Sequence, residues 1–142
     1  MRLMWRYGII VVGFLLDQVT KYWARMNLSE VREVFPDFLA LRLAFNQGIA
    51  FSLPITRWVS SALSVVIIGY VVYLLQNKKE SQQLGYYFLL AGALGNLFDR
   101  VWWGEVTDFL SVWQFPIFNV ADVLVSVGVL LLVWREFNLR KK

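Results

Sequence analysis

Two aspartates, Asp108 and Asp122, stand on opposite sides of a turn that contains Pro116. Because the chain can fold back at such a turn, carboxylates from two different elements can meet there. A pair of this kind suits an aspartyl protease, in which one ionised carboxylate takes a proton from water and one carboxylic acid polarises the scissile carbonyl. Two nearby like charges oppose each other's ionisation, so the pair titrates as a unit.

Each of these residues also has an ordinary structural interpretation. Asn119 followed three positions later by Asp122 is typical of a helix N-cap with an acidic third residue. Asp108 alone is typical of a solvated loop, and Asp99 beside Arg100 of an interfacial ion pair. The helix dipole favours an ionised Asp122, which leaves Asp108 as the protonated partner in a catalytic pair.

The sequence contains no histidine and no cysteine. These absences exclude a Ser-His-Asp triad, a thiol nucleophile, a disulfide and a zinc site of His or Cys ligands. Acid–base chemistry is left to carboxylates, Lys21 and tyrosines. A Ser-Lys protease that pairs Lys21 with Ser52, Ser111 or Ser126 remains open.

The composition places the chain in a membrane. Of its 142 residues, 58% are hydrophobic, against roughly 45–50% in soluble domains. Aromatic residues make up 17%, and Trp and Tyr collect where hydrocarbon meets headgroups. The net charge of +4 lies at chain ends and in short polar gaps rather than on one face, so we expect no nucleic-acid partner.

The apolar runs predict an all-α membrane protein with four transmembrane helices, at about residues 5–25, 58–75, 84–103 and 120–137. In the first, Asp17 and Lys21 are four apart and share a face, where an ion pair is expected. In the third, glycines and alanines offer a surface for close helix packing. Pro116 prevents the third helix from continuing into the fourth.

The polar segment at residues 27–56 predicts a small β-sheet on the membrane surface. Leu39, Leu41, Leu43 and Phe45 recur with the period of two of a strand with one buried face. Asn46-Gln47-Gly48 supplies a turn, and residues 49–53 then predict a returning strand. With no repeat or linker, residues 1–142 form a single integral membrane domain.

Four spans place both termini on one side of the membrane. Eight basic residues fall on that side and six elsewhere, and the eight are Arg2, Arg6, Lys78, Lys79, Arg135, Arg140, Lys141 and Lys142. The positive-inside rule therefore predicts cytoplasmic termini. The surface sheet and residues 99–119 then face the extracytoplasmic side.

Five ordered segments carry a resemblance to a known family: D-Q-V-T-K (17–21), N-Q-G-I-A-F (46–51), G-N-L-F-D-R (95–100), V-T-D-F (106–109) and F-N-V-A-D (118–122). With this order, length and layout, the chain resembles the bacterial lipoprotein signal peptidases, the type II signal peptidase family. The resemblance implies catalytic roles for Asp108 and Asp122. It implies supporting or substrate-binding roles for Asn46, Asn96, Arg100 and Asn119, and a role for Asp17 in the integrity of fold and site.

The same resemblance implies the reaction and its setting. Members remove the signal peptide from a prolipoprotein on the N-terminal side of a cysteine that carries diacylglycerol. We therefore expect a multi-pass enzyme of the bacterial cytoplasmic membrane, active at its extracytoplasmic side. Its partners would be membrane-anchored prolipoproteins and the lipid bilayer, and we expect a monomer with no cofactor and no metal.

Two alternatives outside the proteases explain part of the pattern. A small ion or proton-coupled transporter would also place Asp and Arg within spans, although the inner halves of the second and fourth spans are mainly apolar. A non-catalytic assembly factor would use the glycines and aromatics for partner helices, but it gives no reason for the paired acids.

Overall fold

The computed structural model describes residues 4–47, 49–50, 53–54, 57–77 and 84–139. Within them the chain forms four helices and five strands, which in chain order are α1 (Met4–Asn27), β1 (Arg32–Phe35), β2 (Leu39–Asn46), β3 (Ile49–Ala50), β4 (Leu53–Pro54), α2 (Arg57–Asn77), α3 (Leu84–Trp102), β5 (Val106–Val112) and α4 (Val120–Leu139). Each helix lies within two residues of a predicted span at both ends. The polar connection predicted at residues 78–83 lies outside the described residues.

Helix α3 packs against the other three helices. Small residues allow the closest of these approaches. A Cβ atom at Gly92 would collide with the backbone oxygen of Ala121 in α4, so only glycine admits that backbone. The predicted packing surface of small residues on α3 is therefore confirmed.

The larger sheet has the strand order β1-β2-β5, with both pairs antiparallel. The prediction that the sheet is confined to the segment between the first two helices is wrong, because β5 comes from the connection between α3 and α4. Its first four residues are buried, so the strand lacks the alternation that marks a half-exposed strand in a sequence. The fold is four helices with a small three-stranded antiparallel sheet.

The returning strand predicted at residues 49–53 is also wrong. Strand β3 pairs with β4 in a separate two-stranded sheet, with Ile49 opposite Pro54. The edge of β2 that such a strand would need is occupied by β5, which pairs with it from Leu39↔Val112 to Asn46↔Val106. The predicted turn reaches Gly48, which lies outside the described residues.

Apolar packing fixes the sheet against the end of α1. Ala24, Leu28 and Phe109 form a buried cluster against which Leu41 and Leu43 pack. This contact places β5 beside the last two turns of α1. It therefore brings β5, the strand that carries Asp108, next to α1, where Arg25 donates to Thr107.

The helices expose large apolar side chains, such as Val12 and Val19 of α1 and Val66 of α2. By length and composition, one helix among the described residues, Trp58–Asn77 with a mean hydropathy of 2.0, is long and apolar enough to cross a membrane. None of the other three described helices combines sufficient length and hydropathy with so few charged residues. Two of them, α1 and α3, carry the buried charges described next.

Candidate active site

Asn119 and Asp122 cap the N-terminus of α4 reciprocally. The Asp122 N–H donates to Asn119 Oδ1 at 3.0 Å, and the Asn119 N–H donates to Asp122 Oδ2 at 3.1 Å. This is the predicted capping arrangement. It leaves Asp122 Oδ1 and the side-chain NH₂ group of Asn119 for contacts with other elements.

Those free groups connect the two candidate carboxylates. Asn119 Nδ2 donates to Asp108 Oδ1 at 2.7 Å and to Asn96 Oδ1 at 3.1 Å. Asn96 Nδ2 in turn donates to Asp122 Oδ1 at 2.9 Å. A chain of two amides therefore joins Asp108 on β5 to Asp122 on α4, and each carboxylate accepts from an N–H donor.

Lys21 determines which way the Asn96 amide points. Its ammonium donates to Asn96 Oδ1 at 2.9 Å, and an ammonium can only donate. The oxygen of Asn96 must therefore face Lys21, which turns its NH₂ group toward Asp122. The direction of the network follows from the chemistry of Lys21.

Asp108 is 4% exposed. Its burial, and then the charge of Asp122, raise the pKa of Asp108 to about 6, against the opposing effect of hydrogen bonds from Asn119 and Asn46. Asn46 reaches it across the sheet: it pairs with Val106, two residues from Asp108, and residues two apart lie on the same face of a strand. Asp108 thus holds a proton into the weakly acidic range.

Asp17 supports the same helix start from α1. It is fully buried, and its Oδ1 accepts from the Ala121 N–H at 2.8 Å, so it satisfies a backbone donor in the first turn of α4. Its Oδ2 pairs with Lys21 Nζ at 2.8 Å, which confirms the predicted ion pair. Gly95 is required beside it, because a Cβ there would collide with Asp17 Oδ2.

The ammonium of Lys21 is directed at three acceptors: Asp17, Asn96 and Asp99, the last at 3.4 Å. No serine is among these partners, and Ser126 donates instead to the backbone oxygen of Asp122. Ser52 lies outside the described residues. The part of the chain that the structure describes therefore gives the Ser-Lys interpretation no support.

Asp99 points inward rather than to the surface, so its interpretation as an interfacial ion pair is wrong. It is 1% exposed, and its Oδ2 accepts from the Thr107 N–H at 2.9 Å. Gln18, which sequence reasoning did not single out, donates to its Oδ1 at 3.2 Å. Arg100 donates to the backbone oxygen of Asn96 at 3.3 Å and interacts with the charges of both candidate carboxylates.

Sequence reasoning also missed Thr107, which is fully buried beside Asp108. Its position inside the V-T-D-F segment was the only available signal. Asn119 Nδ2 donates to its backbone oxygen at 3.2 Å, and Arg25 Nε donates to its hydroxyl at 2.7 Å. Thr107 is thus a point where α1, α3, β5 and the start of α4 meet.

A groove of about 530 Å³ opens beside Asp122 along α4. Its walls are mostly apolar, and Asp122 and Ser126 supply polar atoms; the lining residues include Phe115, Pro116, Ile117, Val123 and Leu130. An extended or helical apolar segment would fit such a surface. Asp122 is one of the residues that line this groove.

This fold is shared with two solved structures, each described as a bacterial membrane enzyme. One has a TM-score of 0.85 and 31% identity, covering 94% of this chain and 87% of that chain. The other has a TM-score of 0.82 and 32% identity, covering 92% and 90%. Fold and buried polar site therefore place the protein in the class of bacterial membrane enzymes.

The sequence comparison narrows this class to a family. The family model for signal peptidase (SPase) II matches residues 9–138, and the chain belongs to that family of peptidases. Curated relatives named lipoprotein signal peptidase include proteins of Listeria welshimeri, 39% identical over 92% of this chain and 91% of the relative, and Pseudomonas paraeruginosa, 36% identical over 99% and 91%. A third, from Clostridium novyi, is 35% identical over 87% and 91%. The family resemblance seen in the sequence is confirmed.

Proposed function

We propose that the protein is an aspartic endopeptidase that removes signal peptides from diacylglyceryl-modified prolipoproteins, on the N-terminal side of the lipidated cysteine. Asp108 and Asp122 are its catalytic pair. The observation that carries this proposal is the convergence of both carboxylates on two amides: Asn119 donates to Asp108, and Asn96 donates to Asp122. The names of the relatives support the prolipoprotein substrate.

The geometry supports different tasks for the two acids. Asp122 accepts from Asn96 and from the Asn119 backbone at the start of α4, where the helix dipole stabilises negative charge. Burial and the Asp122 charge raise the pKa of Asp108 to about 6, so Asp108 can hold a proton in the weakly acidic range. Asp122 therefore acts as the base, and Asp108 acts as the acid.

In the reaction, the Asp122 carboxylate takes a proton from water as the water oxygen attacks the scissile carbonyl carbon. Asp108 gives its proton to the carbonyl oxygen, which yields a neutral tetrahedral intermediate. The C–N bond then breaks as Asp122 gives its proton to the leaving amine. Asp108 recovers a proton from the collapsing hydroxyl group, which restores the singly protonated pair.

Five further residues support this pair. Asn96 and Asn119 orient the carboxylates, and Asn46 hydrogen-bonds Asp108 from β2. Arg100 interacts with the charges of both acids. Asp17 supports the start of α4 through its hydrogen bond with the Ala121 N–H.

The groove beside Asp122 supports a substrate with an apolar segment. The signal peptide's apolar part would lie along Phe115, Val123 and Leu130, with the scissile bond near Asp122. Binding there replaces lipid contacts with protein contacts, so specificity comes from the polar end where the acids lie. The substrate enters from the bilayer, which agrees with the apolar surfaces of the helices.

The topology belongs to the same proposal. All four helices span the cytoplasmic membrane of a bacterium as a monomer, with cytoplasmic termini and the sheet on the extracytoplasmic side. Single cysteines in this cysteine-free chain test it. An impermeant thiol reagent should label position 32 in intact cells and not position 78. The reverse pattern means that the topology is inverted.

The function is tested with the purified protein and a diacylglyceryl-modified prolipoprotein, with the unmodified precursor as control. We expect cleavage of the modified precursor before its cysteine, and we expect a chelator to leave the rate unchanged because water is activated by carboxylates. Absence of cleavage contradicts the proposed function. Abolition by a chelator contradicts the aspartic mechanism.

A further inference from the structure

Thr107 adjoins Asp108 in β5, and each of its three polar groups is bound by a different part of the chain. Its N–H donates to Asp99 of α3, and its backbone oxygen accepts from Asn119 before α4. Its hydroxyl accepts from Arg25 Nε of α1 at 2.7 Å. Because Thr107 is fully buried, these bonds do not compete with solvent.

The Arg25 guanidinium lies over two aromatic rings. Its central carbon lies 4.8 Å from the centroid of Phe45 and 4.7 Å from the centroid of Trp103. A planar guanidinium can contact aromatic rings and still donate in a fixed direction, which a lysine ammonium cannot do. The two ring contacts therefore help to orient Nε toward Thr107.

Phe45 is also the residue opposite Thr107 in the pairing of β2 with β5. Arg25 thus contacts both members of one cross-strand pair. Side chains alternate along a strand, so Thr107 and Asp108 project to opposite faces. Arg25 therefore contacts the sheet at Thr107, on the face opposite the Asp108 side chain.

We propose that Arg25 is a positioning residue for Asp108, acting through Thr107 and the aromatic pair Phe45–Trp103. This inference rests on the proposed function, since it requires Asp108 to be catalytic. The contacts of Arg25 with Thr107, Phe45 and Trp103 fix the position of β5 relative to Asn119. The side-chain NH₂ group of Asn119 donates to both the Thr107 backbone oxygen and the Asp108 carboxylate. Small displacements of a catalytic group reduce turnover strongly while leaving substrate binding intact.

Arg25→Lys and Thr107→Val test this through kinetics on the modified prolipoprotein. Lys keeps the charge but loses the stacked donor, and Val keeps the shape of Thr but loses the hydroxyl. Each should lower kcat on the order of 10-fold to 100-fold, with little change in KM. Arg32→Lys is the matched control, because Arg32 is exposed and its guanidinium donates to the Asn27 backbone oxygen.

The double variant distinguishes positioning from general loss of structure. If Arg25 acts through Thr107, combining Arg25→Lys with Thr107→Val should cost little more than the stronger single change. Thr107→Ser restores the hydroxyl and should be several-fold more active than Thr107→Val. Fully additive losses, or equal activity of the Ser and Val variants, overturn the inference.

Thermal unfolding and a parallel Asp108→Asn variant separate the remaining outcomes. Arg25→Gln is the second variant at that position, in case Arg25→Lys does not fold. A fall in kcat that merely follows the folded fraction overturns the positioning role. If Asp108→Asn is inactive while folded Arg25 variants match the wild type, only this inference fails; if Asp108→Asn stays active, the proposed function fails with it.

Discussion

The two ends of the α3–α4 interface both depend on glycine, but different forces hold them together. At the end distant from the larger sheet, a Cβ at Gly85 would lie 2.7 Å from the Gly128 oxygen, and the neighbours of this glycine pair are Leu89 and Leu132. At the end near the sheet, Gly92 and Gly95 admit the Ala121 backbone and the Asp17 carboxylate. One end is closed by apolar packing and the other by buried charge and amides.

The desolvation cost of buried charge falls at the end near the sheet. Burying Asp17, Lys21 and Asp99 requires desolvation that their pairing does not fully return, whereas an apolar contact of the same size carries no such penalty. What the polar end gains is a defined orientation of its side chains, because a hydrogen bond weakens steeply when donor and acceptor are misaligned. The end of the α3–α4 interface distant from the sheet stabilises the fold, and the end near the sheet positions the side chains of the site.

The largest expected loss of activity comes from replacing the two catalytic acids at the end near the sheet. Asp108→Asn and Asp122→Asn should each lower kcat by roughly 10²–10⁴-fold, since an amide neither accepts the water's proton nor donates as a carboxylic acid. Both variants should fold, because the shape is conserved. The control is Asp37→Asn in the exposed turn between β1 and β2, where the positive φ of 57° suits Asn as well as Asp. Full activity of either site variant contradicts the proposed pair.

The pH dependence of stability measures the cost of burying Asp108. Native Asp108 has its pKa raised from 3.8 to about 6, so between these values the native state binds more protons than the unfolded chain. Stability is therefore lost as pH rises through this window, by at most about 3 kcal/mol. Asp108→Asn removes this cost and should raise Tm at pH 8 but not at pH 3.5. An unchanged or lower Tm of the variant at pH 8 would mean that ionised Asp108 does not destabilise the folded protein.

Glycine substitutions at the two ends should separate stability from position. Gly128→Ala brings a Cβ to 2.9 Å from the Leu89 backbone nitrogen, so it should cost roughly 1–3 kcal/mol of stability without changing the kcat of the folded fraction. Gly95→Ala displaces Asp17 and should lower kcat as well. Gly69→Ala, with nothing within 4 Å, is the control for a helical glycine. Equal kcat in both variants would remove the distinction between the ends.

The smallest expected effect concerns the amide that Asp108 receives from the sheet. Asn46→Ala should lower kcat roughly 10-fold, because it removes one hydrogen bond to a buried carboxyl group. Since that bond lowers the pKa of Asp108, the alkaline limb of the pH–rate profile should move to higher pH. The control is Asn77→Ala, which removes a 2.8 Å bond to the Tyr73 backbone oxygen. If Asn46→Ala cleaves at the wild-type rate, the Asn46 side chain does not contribute to catalysis.

Local sequence patterns determined the helices and the start of α4. Apolar runs and Pro116 predicted the ends of the four helices to within two residues. This was possible because the length and hydropathy of a helix are properties of one continuous segment of the chain. The Asn119–Asp122 cap spans three positions, so its signature is legible in the chain itself. The five ordered segments also identified the candidate residues Asp108, Asp122 and Asn96 through the family they resemble.

Tertiary structure alone decided how these elements meet. The bond from the Ala121 N–H to Asp17 joins residues 104 positions apart, and Arg25 reaches Thr107 across 82 positions. The pairing of β5 with β2 and the inward turn of Asp99 likewise depend on where α1, α3 and the sheet come together. Periodicity and propensity constrain neighbours in the chain, whereas these contacts arise only when packing brings separate elements within hydrogen-bond reach. The sequence by itself therefore named the acids, and packing placed the donors that hold them.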